Sequence, residues 1–335
     1  MERKLRICVI GALMLAIAPA TASFAADAPA RVQLLTSPIG TGSYVFGTAL
    51  EKISKDANAG VIVNSSESPG FLYNIKKLDR DQAAQKNTVV GSGSGLLSLA
   101  TNGRAPFKKK YKSLKLIANY EVEGTWLATL DPSIKTVKDL VGKRVALGRS
   151  AQINWTIEPR EIFEHGWDIP LNKLHIQYVG IKEAVDALLN GTADAAIVGG
   201  YFNPAEGKVV PSPQTLELLS SGRSIHFIPW GKEFVEKTAK HGVAIRPYTL
   251  PAGSVEGLKQ PLEIFADNTA WMVAADFPEK NAYELTKLII ANSSKFGKFT
   301  ALGKLLTKEL LTSGWKTTDI APGALRAYKE AGLIK

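Results

Sequence analysis

Cysteine is almost absent from this chain of 335 residues, and the only one is Cys8. Because Cys8 lies in a segment that we expect to be removed, the rest of the protein should contain no thiol. This excludes disulfide bonds, cysteine nucleophiles and thiolate metal sites beyond that segment. Stability must then come from ordinary hydrophobic cores, and a hydrophobic content of 45% in a chain of this length is sufficient to build them.

Motifs of catalysis and metal binding are missing as well. The four histidines show neither i, i+4 pairing nor an H-E-x-x-H sequence. In Gly91-Ser92-Gly93-Ser94-Gly95, glycine stands where the hydrolase motif G-x-S-x-G needs its serine. The start Gly40-Thr41-Gly42 lacks the third glycine of a dinucleotide fingerprint, because Val45 holds that position. We therefore expect no enzyme, no cofactor and no metal site.

A long apolar run is found only near the N-terminus, from Ile7 to Ala20. Its length of about 14 residues is below the roughly 20 that a membrane-spanning helix needs. Basic residues at 3, 4 and 6 precede it, and Ser23-Phe24-Ala25 follows it. This arrangement is typical of a secretory signal peptide. We predict that residues 1–25 are a cleavable signal peptide and that the remainder is exported to the periplasm.

The charge balance of the chain is basic. The formal net charge is +10, of which the predicted signal peptide carries +2, so +8 remains on the rest. A basic protein attracts anionic ligands or surfaces. The chain shows no basic-aromatic pattern of nucleic-acid recognition, so we expect no nucleic-acid partner. The densest basic run, Lys108-Lys109-Lys110-Tyr111-Lys112, is interpreted as a solvated loop, with docking on an acidic partner or membrane as the alternative.

Short β-branched runs alternate with amphipathic helical patterns along the chain, which indicates α/β layers with largely parallel sheets. This alternation occurs twice, and extended segments at 116–120 and 125–130 lie between the two units. A late strand near 265–274 would return the chain to the first unit. We therefore predict two α/β lobes, the first comprising residues 26–127 with 266–335 and the second residues 128–265.

Three loops of small residues each follow a predicted strand and open a predicted helix: Gly40–Ser43, Gly91–Gly95 and Gly148–Ala151. Unpaired N–H groups at helix N-termini bind carboxylate or phosphate. Ligands of open α/β sheets bind at the carboxyl ends of strands, where these loops lie. We predict that the loops converge on a small anion. The alternative is that the glycines only serve tight turns.

Arg149, in the third loop, could bind a carboxylate bidentately, although it could equally be a solvated surface residue. Nearby aromatic side chains could line a pocket or belong to the core. The predicted ligand contacts are Gly42, Ser43, Tyr44, Ser92, Ser94, Arg149, Ser150, Gln152, Asn154 and Tyr201.

The order of several segments resembles the TAXI family, the extracytoplasmic receptors of tripartite ATP-independent periplasmic (TRAP) transporters. The segments are Thr36–Tyr44 with Gly47, Ile134–Val145, Asp276–Glu279 before Tyr283–Lys287, and Pro322–Ala324 with Tyr328–Gly332. Two loops depart from the family pattern: Ala151-Gln152-Ile153 replaces a Gly-Ser-Gly turn, and Gly93 and Gly95 replace a glutamine and an aspartate. The departures suggest that the solute differs from the family's usual acids.

The resemblance implies a periplasmic-binding-protein fold of type II, with two α/β lobes joined by hinge strands. It also implies delivery of a small organic anion, a carboxylate or an amino-acid-like compound, to the integral-membrane subunits of a TRAP transporter. We expect a monomer. The alternative function is the ligand-sensing subunit of a periplasmic signalling receptor with the same fold.

Overall fold

The structure is a computed structural model that describes residues 28–39 and 41–335. The predicted signal peptide and Gly40 of the first loop lie outside the described residues. Eleven strands within this part of the chain form a connected sheet. They are β1 (Ala30–Leu35), β2 (Val61–Ser66), β3 (Thr88–Gly93), β4 (Lys115–Thr129), β5 (Arg144–Leu147), β6 (His175–Tyr178), β7 (Ala195–Asn203), β8 (Lys208–Pro211), β9 (His226–Ile228), β10 (Arg246–Leu250) and β11 (Leu262–Val273).

Helices pack against the strands of the sheet. The α-helices are α1 (Gly42–Asp56), α2 (Phe71–Arg80), α3 (Gln82–Asn87), α4 (Ser94–Asn102), α5 (Glu158–Glu161), α6 (Ile181–Leu189), α7 (Pro213–Leu219), α8 (Lys232–Lys240), α9 (Glu279–Asn292) and α10 (Pro322–Glu330). Among the described residues, no helix combines the length and the apolar character needed to cross a membrane.

The strand order is β2-β1-β3-β11-β4-β7-β5-β6, with β10 on β11, β8 on β7 and β9 on β4. The outer strands are parallel: β1 pairs with β2 and β3, and β5 pairs with β6 and β7. The centre is antiparallel, because β11 runs against β3 and β4, and β4 runs against β7. The expectation of a largely parallel sheet is therefore wrong at the centre, where the chain crosses in one direction and returns in the other.

Two long strands connect the two parallel units. Residues 115–123 of β4 pair with β11, and residues 123–129 pair with β7 and β9. In β11, residues 262–266 pair with β10 and residues 267–273 with β3 and β4. The predicted class of two α/β units joined by hinge strands is confirmed. The predicted lobe boundaries near 127 and 266 stay a prediction.

The predicted helical faces are buried as the periodicity requires. Phe46, Ala49, Leu50 and Ile53 of α1 are all in the core. The segments 116–120 and 125–130, which we expected as two extended pieces, form one continuous strand, β4. The C-terminal helix α10 packs near the start of β4 through Tyr328, whose hydroxyl donates to the carbonyl of Ile117 at 2.7 Å.

The helix that we predicted after the third loop is present but is not a regular α-helix. Two π-helical segments, Ile153–Ile157 and Ile162–Gly166, flank α5. Pro159 lies at the start of α5 and has no N–H, so an α-helical bond to the carbonyl of Trp155 is impossible. The Trp155 carbonyl instead accepts from the N–H of Gly148 at 3.0 Å. The loop that precedes the helix is thereby folded back against its first turn.

We predict that Tyr328→Phe lowers the free energy of unfolding by about 1 kcal/mol, because a buried hydrogen bond to a β4 carbonyl is lost. Tyr283→Phe is the matched control, since its hydroxyl bonds the exposed side chain of Glu330. Urea unfolding of both variants measures the difference. Equal losses in the two variants would show that the Tyr328 bond does not hold α10 to β4.

Candidate functional site

Acidic side chains occupy the middle of the sheet, where the two units meet. Glu121 and Glu123 are two residues apart on β4, so both side chains point to the same face. Glu123 is paired with Tyr201 of β7 on one side and with Asp267 of β11 on the other. Directly paired residues of neighbouring strands share a face. Tyr201, Glu123 and Asp267 therefore form a row across the three central strands.

A fourth carboxyl group, that of Glu158, reaches this row from α5. The Asn154 amide joins it to the sheet, because its Nδ2 lies 3.2 Å from Glu158 Oε2 and 3.3 Å from Asp267 Oδ2. Glu121 and Glu123 are 6% and 7% exposed, and Glu158 and Asp267 are fully buried. We call Glu121, Glu123, Glu158 and Asp267 the carboxyl cluster.

Burial is the main physical effect on the cluster, because a carboxylate loses its hydration when it leaves water. Burial raises the pKa of Glu123 to about 8, although a hydrogen bond from Trp155 opposes the rise. Burial, and then the charge of Glu123, raise the pKa of Glu121 well above its ordinary value. Glu123 therefore favours its protonated form at neutral pH, and the pKa of Glu121 is shifted in the same direction.

Asp267 and Glu158 lie close enough for each to shift the pKa of the other. Burial raises the pKa of Glu158 well above its ordinary value, and the neighbouring Asp267 raises it further. Burial also raises the pKa of Asp267, but hydrogen bonds from Ser94, Gly95 and Glu158 oppose the rise. The hydrogen bonds thus favour the charged form of Asp267, whereas burial and the neighbouring Asp267 favour the neutral form of Glu158.

The second small-residue loop binds this internal carboxylate. At the N-terminus of α4, the N–H of Gly95 donates to Asp267 Oδ1 at 2.9 Å, and the Ser94 hydroxyl donates to the same oxygen. A Cβ at Gly93 would lie 2.6 Å from Asp267 Oδ2. The position that the sequence predicts for a bound anion is therefore occupied by a side chain of the protein itself.

The first loop also faces the cluster. Thr41 caps α1, and a Cβ at Gly42 would lie 2.4 Å from Glu121 Oε2. Ser43 is buried and accepts a hydrogen bond from the hydroxyl of Tyr120 at 2.8 Å. Glycine at 42 leaves room for this carboxyl group, which would have to shift if the residue carried a Cβ.

The third loop is closed by its own side chain. The N–H of Arg149 donates to Gln152 Oε1 at 2.6 Å, and a Cβ at Gly148 would lie 2.4 Å from the same oxygen. Arg149 and Ser150 are exposed, and Gln152 is half-buried. The backbone donor expected to bind an anion at this helix start is therefore already paired.

The structure brings part of the predicted contact set together. Gly42, Ser94, Asn154 and Tyr201 lie against the carboxyl cluster, and Ser43 is linked to it through Tyr120. The remaining predicted residues lie elsewhere: Tyr44 in the first turn of α1, Ser92 buried in β3, and Arg149, Ser150 and Gln152 in the third loop. All ten stay predictions as ligand contacts.

Sequence reasoning missed the four carboxyl groups and Arg246, a half-buried residue of β10 whose charge acts on Asp267. A signal for two of them is present in the sequence. Glu121 and Glu123 alternate with apolar residues inside an otherwise apolar run, which places both on one face of a strand that is buried. Among the described residues, no group of three or more His, Cys, Asp and Glu is arranged to hold a metal ion.

Comparison with known proteins gives a family match over most of the chain: the NMT1-like family model matches residues 34–332. Among solved structures, a TctC solute binding protein from Polaromonas is 13% identical, with a TM-score of 0.49 over 85% of this chain and 89% of that chain. The aliphatic sulphonate binding protein SsuA from Escherichia coli is 14% identical, with a TM-score of 0.44 over 90% and 84%. An R. palustris protein with adipate is 14% identical, with a TM-score of 0.49 over 91% and 94%.

The raised carboxyl pKa values predict an unusual dependence of stability on pH. The unfolded chain releases these protons near the ordinary value of 4.5, whereas Glu123 in the folded protein releases its proton at about 8. The folded state therefore binds more protons between these values, so the free energy of unfolding should fall as pH rises from about 5 to about 8.

Glu123→Gln should reduce this slope and stabilise the protein at pH 8 by about 1 kcal/mol or more, since one pKa unit corresponds to about 1.4 kcal/mol. The control is Glu256→Gln at an exposed position. Chemical denaturation across this pH range gives the slopes. Stability that rises steadily from pH 5 to 8 would contradict the account.

Proposed function

The chain belongs to the NMT1-like family, and from that premise we propose that it is a periplasmic solute-binding protein. It captures a small solute between its two α/β units and delivers it to a membrane transporter. The observation that carries this proposal is the carboxyl cluster, a buried polar site to which both units contribute. Charged groups with perturbed pKa values are concentrated at functional sites, because an uncompensated buried charge is costly elsewhere.

The two units contact each other beside this site. The Ser94 hydroxyl oxygen lies 3.0 Å from the carbonyl oxygen of Ala244, and the N–H of Ala244 donates to Ser98 Oγ at 2.8 Å. Arg104, which follows α4, donates to Glu161 Oε2 at 2.5 Å and to the carbonyl of His241 at 2.5 Å. These contacts join α4 and its following loop to the region around α5 and the segment before β10.

Closure over a solute is supported by the connections between the units. β4 and β11 are the strands that run from one unit into the other, and such paired linkers permit hinge motion. Opening the hinge would break the contacts of Arg104 and Ser98 and admit water and solute to the cluster. Closing it would exclude water, which strengthens each polar contact with a bound solute.

Within this family we propose a TAXI-type receptor that delivers its solute to TRAP transporter subunits as a monomer. The order and spacing of the sequence landmarks from Thr36 to Gly332 support this finer assignment. The small organic anion that the loops suggest has less support, because two of the three loops face carboxyl groups and the third is closed by Gln152. We propose binding rather than catalysis, so the solute should be released unchanged.

A screen of anionic, cationic and neutral small solutes against the purified protein tests the receptor function. At a free concentration of about a hundredfold over its dissociation constant, a solute adds about 2.7 kcal/mol to the free energy of unfolding. The melting temperature should then rise by several degrees. Chromatography should recover that solute unaltered. A folded protein that no class of solute stabilises would contradict the proposal, and turnover of the solute would indicate an enzyme.

Capture of membrane partners by the solute-loaded protein tests the delivery step. A channel-like integral-membrane protein is the expected partner. Recovery of a kinase or chemoreceptor instead would replace transport by the alternative function, solute sensing.

A further inference from the structure

The carboxyl cluster divides into two pairs that differ in how well the protein satisfies them. Asp267 receives hydrogen bonds from Gly95, Ser94 and Asn154, and Glu158 receives one from Asn154, although Glu158 Oε1 has no hydrogen-bond partner among the described residues. The charge of Arg246 also acts on Asp267. Asp267 is therefore compensated by the protein itself, and Glu158 only in part.

Glu121 and Glu123 lack comparable compensation. Glu121 Oε2 has no hydrogen-bond partner among the described residues, although the side chain is only 6% exposed. The group whose charge acts on it is Glu123, another acid. Glu123 receives a hydrogen bond from Trp155 and lies beside Asp267. A buried oxygen without a partner costs about 1–3 kcal/mol, so native proteins rarely keep one without a reason.

Aromatic side chains flank the uncompensated pair. Tyr201 is the β7 partner of Glu123 and is half-buried, and Trp155 contacts the carboxyl group of Glu123. Tyr120 precedes Glu121 in the sequence, and its hydroxyl already donates a hydrogen bond to Ser43. Carboxyl groups beside aromatic rings suit a positively charged amine or guanidinium, which the acids attract and the rings contact.

We propose that this site takes a small organic cation, one bearing a protonated amine or guanidinium group, and that Glu121 and Glu123 bind that group. The inference rests on the proposed receptor function and assigns its solute class. An anion is disfavoured, because the helix start that would bind it already holds Asp267. A bound anion would also lie close to the acidic side chains of the carboxyl cluster, which would repel it when ionised.

Binding of a cation should displace protons from the site. The titratable and charged groups that face the bound amine are Glu121 and Glu123 of β4, Tyr120 of β4, Tyr201 of β7, Asp267 of β11, Glu158 of α5 and Arg246 of β10. Burial raises the pKa of the two glutamates, so they must ionise to pair with the guest. Affinity for a cation should then increase as pH rises from about 6 to about 8.

Three probes with the same four-carbon chain separate the possibilities: putrescine, succinate and 1,4-butanediol. Titration calorimetry of the full protein with each probe, in two buffers of different ionisation enthalpy, gives both affinity and proton transfer. Agmatine adds a guanidinium group to the cationic set, and calcium chloride tests an inorganic cation. The expected result is binding of at least one organic cation with proton release, and no binding of succinate or calcium.

Glu121→Gln and Glu123→Gln keep the shape of each side chain and remove its charge. Each should weaken binding of the organic cation by at least about tenfold. Glu256→Gln, at an exposed position, is the matched control and should not change the affinity. Circular dichroism and the melting temperature of each variant show that it is folded, so a loss of binding reports on the site.

The outcomes separate this inference from the receptor function. Binding of succinate, of 1,4-butanediol alone or of calcium alone would overturn the cationic assignment. Binding of succinate or 1,4-butanediol would still leave the receptor function intact. Unchanged affinity of a cation for both glutamine variants would also overturn it. If the folded protein binds no solute of any class, the receptor function fails with it.

Discussion

A carboxyl group loses most of its hydration when it is buried, and this protein places four of them in one water-poor space. Fully ionised, they would repel one another strongly at low effective dielectric. The structure reduces the repulsion for Asp267, which accepts hydrogen bonds at the N-terminus of α4 and is also stabilised by a hydrogen bond from Glu158. Glu121 and Glu123 must be neutralised either by protons or by a bound organic cation. The proposed function depends on this unresolved pair.

The fold produces this arrangement through its two crossing strands. β4 and β11 are the strands that both units share, so residues at their midpoints face the junction and both sides can reach them. A bulge at Tyr120 shifts the register between Asn119 and Glu121. The π-helical turns around Pro159 place Asn154 and Glu158 over the same point. Local irregularities in β4 and in the helix of the second unit thus converge on the cluster.

Much of the architecture follows from the sequence, because strand and helix periodicities are local. The burial of one face of α1 and the strand that returns the chain near 265–274 are examples. The antiparallel centre could not be predicted, since it depends on a pairing between β4 and β11 that lie far apart in sequence. The site could not be predicted for the same reason, because its residues come from segments that lie far apart in sequence. Helix starts predict anion binding, but only the fold shows that Asp267 reaches the second of them.

The protonation of Glu121 and Glu123 is the central claim, and infrared difference spectroscopy measures it directly. The empty protein at neutral pH should show the C=O stretch of protonated carboxylic acids, and an organic cation should convert part of it to carboxylate bands. The band lost on binding should be smaller in Glu123→Gln. An empty protein without protonated carboxyl bands, or bands that the bound solute leaves unchanged, would contradict the account.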